Sequence, residues 1–173
     1  MILATSAIEQ ALSDGAIVCD PAPRRVEGAH IDVTLGAHRW EQVDGVFVKR
    51  TAPLGGIPLY FKRGVLYLCH TQEFIGTAPG SGLLPMMFGR STLARLGVIV
   101  HLSAGWGDEG YASRWTMEIV TTRDIEIPVG ARVACIAFHR LEGSATPYAP
   151  GTRYNATRQE WNASAMLPKE GNW

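Results

Sequence analysis

Apolar and polar residues alternate along most of this chain in short runs rather than long ones. Ile31, Val33 and Leu35 alternate with Asp32 and Thr34, which predicts a half-buried strand closed by Gly36. Residues 46–48, 64–69, 98–102, 115–120 and 133–138 carry further strand patterns. Turn formers separate them: Asp44-Gly45, Pro53-Leu54-Gly55-Gly56, Pro79-Gly80-Ser81-Gly82 and Pro128-Val129-Gly130. Helical spacing shows in two places. Ser6 and Glu9 stand as a capping box ahead of Ile8, Ala11 and Leu12, with Gly15 placed to end the helix. In residues 91–97, Leu93 and Leu96 share one face, Ser91 and Arg95 share another, and Gly97 is a natural C-terminal cap. Many short strands with little helix predict an all-β barrel or sandwich. From Glu142 the alternation fades into Gly, Pro, Thr, Asn and Tyr, which predicts a mobile or wrapping arm with Trp161 and Trp173 as anchors.

At 173 residues, the chain has room for one domain with a proper core, taken here as residues 1–173 with 142–173 as the arm. Sixteen basic and sixteen acidic residues leave no net charge. No global field therefore favours nucleic acid or an anionic membrane, and an anionic ligand must be gripped by local arrangement. The absence of a membrane-length apolar run or a basic leader predicts a cytoplasmic protein. The three cysteines, Cys19, Cys69 and Cys135, sit far apart in apolar runs and read as buried free thiols.

Candidate chemistry concentrates between residues 89 and 118. Arg90, Ser91 and Thr92 stand at the start of the second helix, where unpaired backbone N–H groups favour anions, and Arg95 follows one turn later. Two guanidinium forks so close can hold phosphate oxygens bidentately, although a capped helix with solvated arginines fits the same pattern. The segment Gly105-Trp106-Gly107-Asp108-Glu109-Gly110-Tyr111 has three glycines, which let backbone approach a ligand closely. By themselves, Asp108 also reads as a turn former and Tyr111 as a half-buried strand residue. Glu118 shares a strand face with Thr116 and Val120, while Trp115, Met117 and Ile119 take the other. It is either a desolvated carboxylate suited to moving protons or a strand glutamate paired with Arg132 or Arg114.

The stretch Gly89-Arg90-Ser91-Thr92-Leu93-Ala94-Arg95-Leu96-Gly97 resembles the dCTP deaminases of the trimeric dUTPase superfamily, whose segment reads roughly G-R-S-S-L-A-R-L-G. The strand of residues 28–36 and the N-terminal helix are family-like too. The resemblance implies a mainly β, distorted barrel of dUTPase type with short helices at the N-terminus and near 91–97. It further implies a homotrimer with shared active sites, a deoxynucleoside triphosphate as substrate, and Mg²⁺ carried by the triphosphate rather than by protein ligands. Residue by residue, it assigns Glu118 to activating the water that attacks C4 of cytosine, with Ser91 and Arg95 lining the deamination site. Arg90, Ser91, Thr92 and Arg95 become phosphate contacts. Asp108 meets the sugar 3′-hydroxyl, Tyr111 packs on the deoxyribose, and Thr116 and Met117 flank the substrate beside Glu118. Tyr148, Arg153 and Gln159 match the C-terminal pattern that closes over the nucleotide. The chain departs from the family at Gly107, usually a branched aliphatic, at Glu109, commonly proline or alanine, and at Ser113, usually glycine.

The leading expectation is zinc-independent deamination of dCTP to dUTP and ammonia. The chain has neither the His-x-Glu nor the Pro-Cys-x-x-Cys ligands of zinc deaminases. Two alternatives stand beside it. One is a bifunctional dCTP deaminase/dUTPase or a dUTP pyrophosphatase, towards which Ala104-Gly105-Trp106 leans. The other is a nucleotide-binding or regulatory protein that keeps the fold without catalysis. The five histidines, His30, His38, His70, His101 and His139, show no metal-ligand spacing and no pattern for catalysis.

Overall fold

Alternation becomes sheet across most of the chain. The computed structural model describes residues 1–148 apart from 24, 45 and 53–55. The elements are α1 (Thr5–Ser13), β1 (Ile17–Asp20), β2 (Val26–Glu27), β3 (His30–Val43), β4 (Val46–Thr51), β5 (Leu59–Phe61), β6 (Tyr67–Thr77), β7 (Leu83–Gly89), α2 (Ser91–Arg95), β8 (Val98–Val100), β9 (Ala112–Thr121), β10 (Ile125–Ile127) and β11 (Arg132–Arg140). The main sheet runs β7-β11-β3-β6-β9-β8, with β1 added to β6 and β2 and β4 added to β3. The segment after β8 then returns to β7. Met87 N–H donates to the Gly105 carbonyl at 2.8 Å and Gly107 N–H to the Pro85 carbonyl at 2.9 Å. That contact brings the two ends of the sheet together, so the sheet curls into a nearly closed barrel. A short pair, β5 with β10, lies beside it. Among the described residues no helix is long and apolar enough to cross a membrane.

Inside the barrel lie Ile31, Val33, Leu35, Met117, Ile119, Val133, Ile136 and Phe138, all fully or almost fully buried. Their period of two on β3 and β9 is what the pleat requires, and on β11 it is interrupted at Val133–Ala134, beside the register shift. At about 25 cal/mol per Å² of apolar surface, these interdigitated side chains are the main source of stability.

Several expectations need correction. The predicted capping box does not form: the N-cap of α1 is Ala4, without a side-chain cap bond, and Thr5 Oγ1 donates instead to the Gly28 carbonyl at 2.9 Å. Strand β3 does not close at Gly36 but runs on to Val43. A Cβ at Gly36 would collide with the His70 ring, so glycine here serves close approach inside a strand rather than a stop. Asp32 and Thr34 are buried, not half-exposed. The strand expected over 64–69 begins at Tyr67 and continues to Thr77. All three cysteines are free, but only Cys69 is fully buried. Burial pushes the Cys19 thiol up to about 12, with Glu73 and Asp20 adding to the effect.

Three register shifts bend the sheet, between Arg132 and Ala134, Leu35 and Arg39, and His70 and Phe74. Backbone groups that lose ladder partners at a bulge must be satisfied otherwise. Glu73 turns inward and accepts from Thr34 N–H at 2.9 Å and from Thr34 Oγ1 at 2.7 Å. Thr71 Oγ1 donates to the Glu73 carbonyl at 2.7 Å and accepts from Trp115 N–H at 2.9 Å.

His70 belongs to the same buried patch. Its Nδ1 lies 2.7 Å from the Thr71 carbonyl, its Nε2 accepts from His38 N–H at 3.2 Å, and its ring stacks on His38. Both ring nitrogens are thus used by a neutral imidazole. Burial lowers the His70 pKa to about 4, against a smaller raising effect of the Thr71 carbonyl, with His38, Arg114 and Lys49 lowering it further. Between an ordinary pH near 6.5 and about 4, the unfolded chain binds a proton that the folded chain refuses. Stability therefore falls as pH falls through that window, by up to about 3 kcal/mol. Thermal unfolding from pH 7.5 to 4.5 should show this loss. His70→Gln, which cannot take the proton, should flatten the slope.

Candidate functional site

β8 and β9 pair antiparallel with Val100 opposite Ile119, which carries His101 to the position opposite Glu118. His101 N–H donates to the Glu118 carbonyl at 2.7 Å. The His101 backbone then turns into the left-handed region, φ +60°, a strained geometry for a residue with a side chain. Its Nδ1 lies 2.8 Å from Glu118 Oε2. The distance is that of an ion pair, but the alignment is not that of a hydrogen bond. His101 Nδ1 and Nε2 and Glu118 Oε2 are consequently buried without an aligned partner among the described residues. Such atoms cost about 1–3 kcal/mol each and are few in a folded protein; three of the five among the described residues belong to this one pair. The His101 side chain is 6% exposed and that of Glu118 27%. Glu118 is therefore half-buried on the outward face of β9, and its neighbour is His101 rather than Arg132 or Arg114. The histidine was not legible from metal-ligand spacing. The signal that could have found it is the hairpin register, which sets residues 101 and 118 opposite each other.

Aromatic rings extend from this pair. His101 and Tyr111 both pack edge-on against Trp115, at 6.1 and 5.0 Å between centroids, and Tyr111 meets Tyr148 in the same way at 5.7 Å. Burial pushes the Tyr111 phenol up to about 12, against a lowering hydrogen bond from Ser113. Trp115 is held at both ends of its residue, by Thr71 at its N–H and by the Ile75 carbonyl at its indole Nε1, 2.9 Å away. Its ring explains Gly107. A Cβ there would stand 2.6 Å from Trp115 Cη2 and 3.0 Å from Pro85 Cγ. The volume that a branched side chain at 107 would occupy is filled by the indole.

The residues predicted for substrate do not all come together. Glu118, Tyr111 and Tyr148 line one continuous region with His101 and Trp115. Asp108 is exposed at the adjoining turn, where its carbonyl accepts from Tyr111 N–H at 3.0 Å. Ser91, Thr92 and Arg95 are exposed on α2, and none makes a side-chain hydrogen bond or ion pair among the described residues. Arg90 is different. It is the N-cap residue of α2, and its guanidinium turns back to pair with buried Asp32, which also takes Arg132 Nη1 at 3.0 Å. Thr116 lies half-buried on the Glu118 face. Met117 points the other way and is fully buried, so strand alternation leaves only its backbone for a ligand. Arg153 and Gln159 lie outside the described residues, as do Trp161 and Trp173. The second helix is shorter than predicted, ending at Arg95, but Gly97 does take the left-handed conformation, φ +81°.

Comparison with known proteins bears on this geometry. Residues 2–141 match the family model described as dCTP deaminase-like. The chain is 38% identical over 109 residues to the dUMP-forming dCTP deaminase of Leptospira biflexa, covering 63% of this chain and 60% of that protein. It is 36% identical over 97 residues to the dUMP-forming dCTP deaminase of Clostridium beijerinckii, covering 56% and 54%. The chain thus matches somewhat over half the length of these relatives. Among solved structures, the 2′-deoxycytidine 5′-triphosphate deaminase from Agrobacterium tumefaciens superposes with a TM-score of 0.64 at 17% identity, covering 79% of this chain and 47% of that one. The EIAV dUTPase superposes with a TM-score of 0.51 at 15% identity, covering 79% and 98%. At these identities the likeness establishes the fold, a dUTPase-like barrel.

The packing of Gly107 on Trp115 can be tested without any ligand. Gly107→Val should cost about 1–3 kcal/mol through overpacking. Adding Trp115→Leu should relieve that strain, so the double variant should be less destabilised than the sum of the two single changes by about 0.5–3 kcal/mol. A denaturant double-mutant cycle measures it, and strict additivity would contradict the contact.

Proposed function

This chain belongs to the dCTP deaminase-like family, and we propose that it hydrolytically deaminates dCTP with Glu118 as the proton-transferring group. One observation carries the reading: a half-exposed carboxylate backed by a buried imidazole, at the foot of the turn bearing Asp108 and Tyr111. Glu118 takes a proton from water as the oxygen adds to C4 of the cytosine ring. The same proton passes to the exocyclic nitrogen of the tetrahedral intermediate. The C4–N bond then breaks and ammonia leaves, while the second water proton passes from the C4 hydroxyl to ring N3, so that the C4 carbonyl forms beside an N3–H. Water and dCTP are consumed; ammonia and dUTP are released. His101 restricts Glu118 Oε2 to one orientation, so the other oxygen is the one presented to water.

Ser91, Thr92 and Arg95 suit the phosphates and the water site because their donors are not used elsewhere among the described residues. Arg90 acts there less directly, since Asp32 holds it. Mg²⁺ fits best as part of the nucleotide. Glu27, His30 and Asp32 bring three ligand atoms within 4.8 Å of one another, but Asp32 already faces Arg90 and Arg132. A hard cation that prefers phosphate and water oxygens gains little from such a group. Phe88, Leu96, Ile99, Leu102 and Trp106 are exposed apolar residues of the α2 and loop region. Their exposure in a single chain supports a homotrimer that buries them, in which α2 of one protomer completes the site of another.

A second reading is favoured by the names of the relatives, which are dUMP-forming. Here the same protein also cleaves the deaminated triphosphate to dUMP and pyrophosphate. Products separate the readings: purified protein with dCTP and Mg²⁺ should release ammonia without added zinc. Pyrophosphate in equal amount would assign the second step as well. Glu118→Gln should lower kcat by about a hundred- to ten-thousandfold while leaving the dCTP affinity within about threefold. Near-normal turnover in that variant would remove Glu118 from the mechanism.

The α2 assignment predicts that affinity falls from deoxycytidine triphosphate to monophosphate by about ten- to a thousandfold, as loss of one or two charge-assisted hydrogen bonds requires. Arg95→Ala should flatten that dependence and slow turnover. Calorimetric titration of the mono-, di- and triphosphate against both proteins decides, and equal affinities across the series would reduce α2 to a surface helix.

A further inference from the structure

Residues 108–111 form a tight turn closed by the bond from Tyr111 N–H to the Asp108 carbonyl, with Gly110 in third position at φ +78°. A positive φ at that position marks a type II turn, which favours proline in second position because its ring presets φ. Here the second position is Glu109. Its neighbour Asp108 is exposed, yet Glu109 is only 5% exposed. A buried carboxylate is unfavourable unless it accepts hydrogen bonds. Glu109 Oε1 accepts from Gly82 N–H at 2.6 Å, and the Glu109 carbonyl accepts from Tyr148 N–H at 2.7 Å.

Neighbouring bonds join the same three segments. Gly110 N–H donates to Thr77 Oγ1 at 3.0 Å, and Thr77 N–H donates to the Tyr111 carbonyl at 3.0 Å. A Cβ on Gly110 would meet Pro147 Cβ at 3.3 Å. The Tyr111 and Tyr148 rings close the cluster edge-on. Glu109 thus bonds through its own atoms both to the 79–82 turn and to the segment at Tyr148.

We propose that Glu109 is a positioning residue, which replaces the conformational lock of a proline by a tether. The carboxylate fixes the turn to Gly82 and the carbonyl fixes it to Tyr148. Asp108, Tyr111 and the root of the C-terminal segment are then set together before a nucleotide arrives. The inference rests on the dCTP reading above, with Asp108 and Tyr111 at the sugar. Sugar contacts serve ground state and transition state alike, so losing the tether raises KM and spares kcat. Reach and acceptor geometry matter here more than charge. An amide at 109 reaches Gly82 as the carboxylate does, whereas a side chain one methylene shorter does not.

Steady-state dCTP kinetics and amide hydrogen exchange on the ligand-free protein test this with Glu109→Ala, Glu109→Asp and Glu109→Gln. Expected for Ala and Asp is a KM raised about five- to tenfold with kcat within about twofold, and exchange at Gly82 and Tyr148 faster by about tenfold. Exchange in β6 and β9 should be unchanged, and Gln should restore wild-type behaviour in both measurements. Unchanged exchange at Gly82 in Ala and Asp overturns the proposal. So does a normal KM despite fast exchange, which would make the contact packing alone, and so does a Gln variant as impaired as Asp. Wild-type protein that neither binds nor turns over dCTP overturns the activity reading instead, and the exchange comparison then decides the tether by itself.

Discussion

Everything that positions the site depends on satisfying the backbone groups orphaned where β3, β6 and β9 bend. A sheet closes into a barrel only if its strands shift register, and each shift strands N–H and C=O groups away from water. Glu73 and Thr71 take up those groups, and their bonds reach Thr34 on one side and Trp115 on the other. Because Thr71 Oγ1 holds the Trp115 backbone and the Ile75 carbonyl holds its indole, the ring has one place to lie. From there the arrangement propagates outward: Gly107 against the indole face, Tyr111 and His101 against its edges, and Glu118 three residues further along the same strand. The polar stitch in the barrel wall thereby sets the geometry of the surface on the neighbouring strand.

The stitch is fully paired, and the candidate site is not. His101 and Glu118 leave buried polar atoms without aligned partners, and His101 carries a left-handed backbone. The barrel can sustain both costs because its apolar interior supplies stability independently of them. The contrast separates two kinds of buried polar group in one molecule. One kind is paired and joins the strands, and the other lies unpaired beside the candidate site.

Two departures from the family pattern turn out to be compensated locally. Gly107 gives up side-chain volume that Trp115 occupies. Glu109 gives up a proline's preset φ but bonds to Gly82 and Tyr148. Ser113, the third, is fully buried, and its hydroxyl donates to the Arg114 carbonyl at 3.3 Å. Read singly, these residues suggest an eroded site; in their contacts they are parts of a repacked one.

Alternation by twos along residues 115–120 determined both the strand and its inner face, and along 31–35 and 133–138 it determined the strands but not how much of their other face is buried. Gly15 and Gly97 likewise announced where their helices end. The stretch 89–97, the turn at 108–111 and the carboxylate at 118 stood out as candidates by their residue types alone. What the chain could not announce is any pairing between residues distant in sequence. Asp32 claims Arg90 from 58 positions away, Glu73 reaches Thr34 from 39, and His101 faces Glu118 only through the β8–β9 register. The absent Ser6–Glu9 capping box is a related case, for the helix starts at Thr5, whose hydroxyl bonds to Gly28, 23 residues away. Periodicity is a property of neighbours along the chain, so sequence records it. Which donor meets which acceptor is settled by bulges, register and burial, which exist only once the barrel has closed.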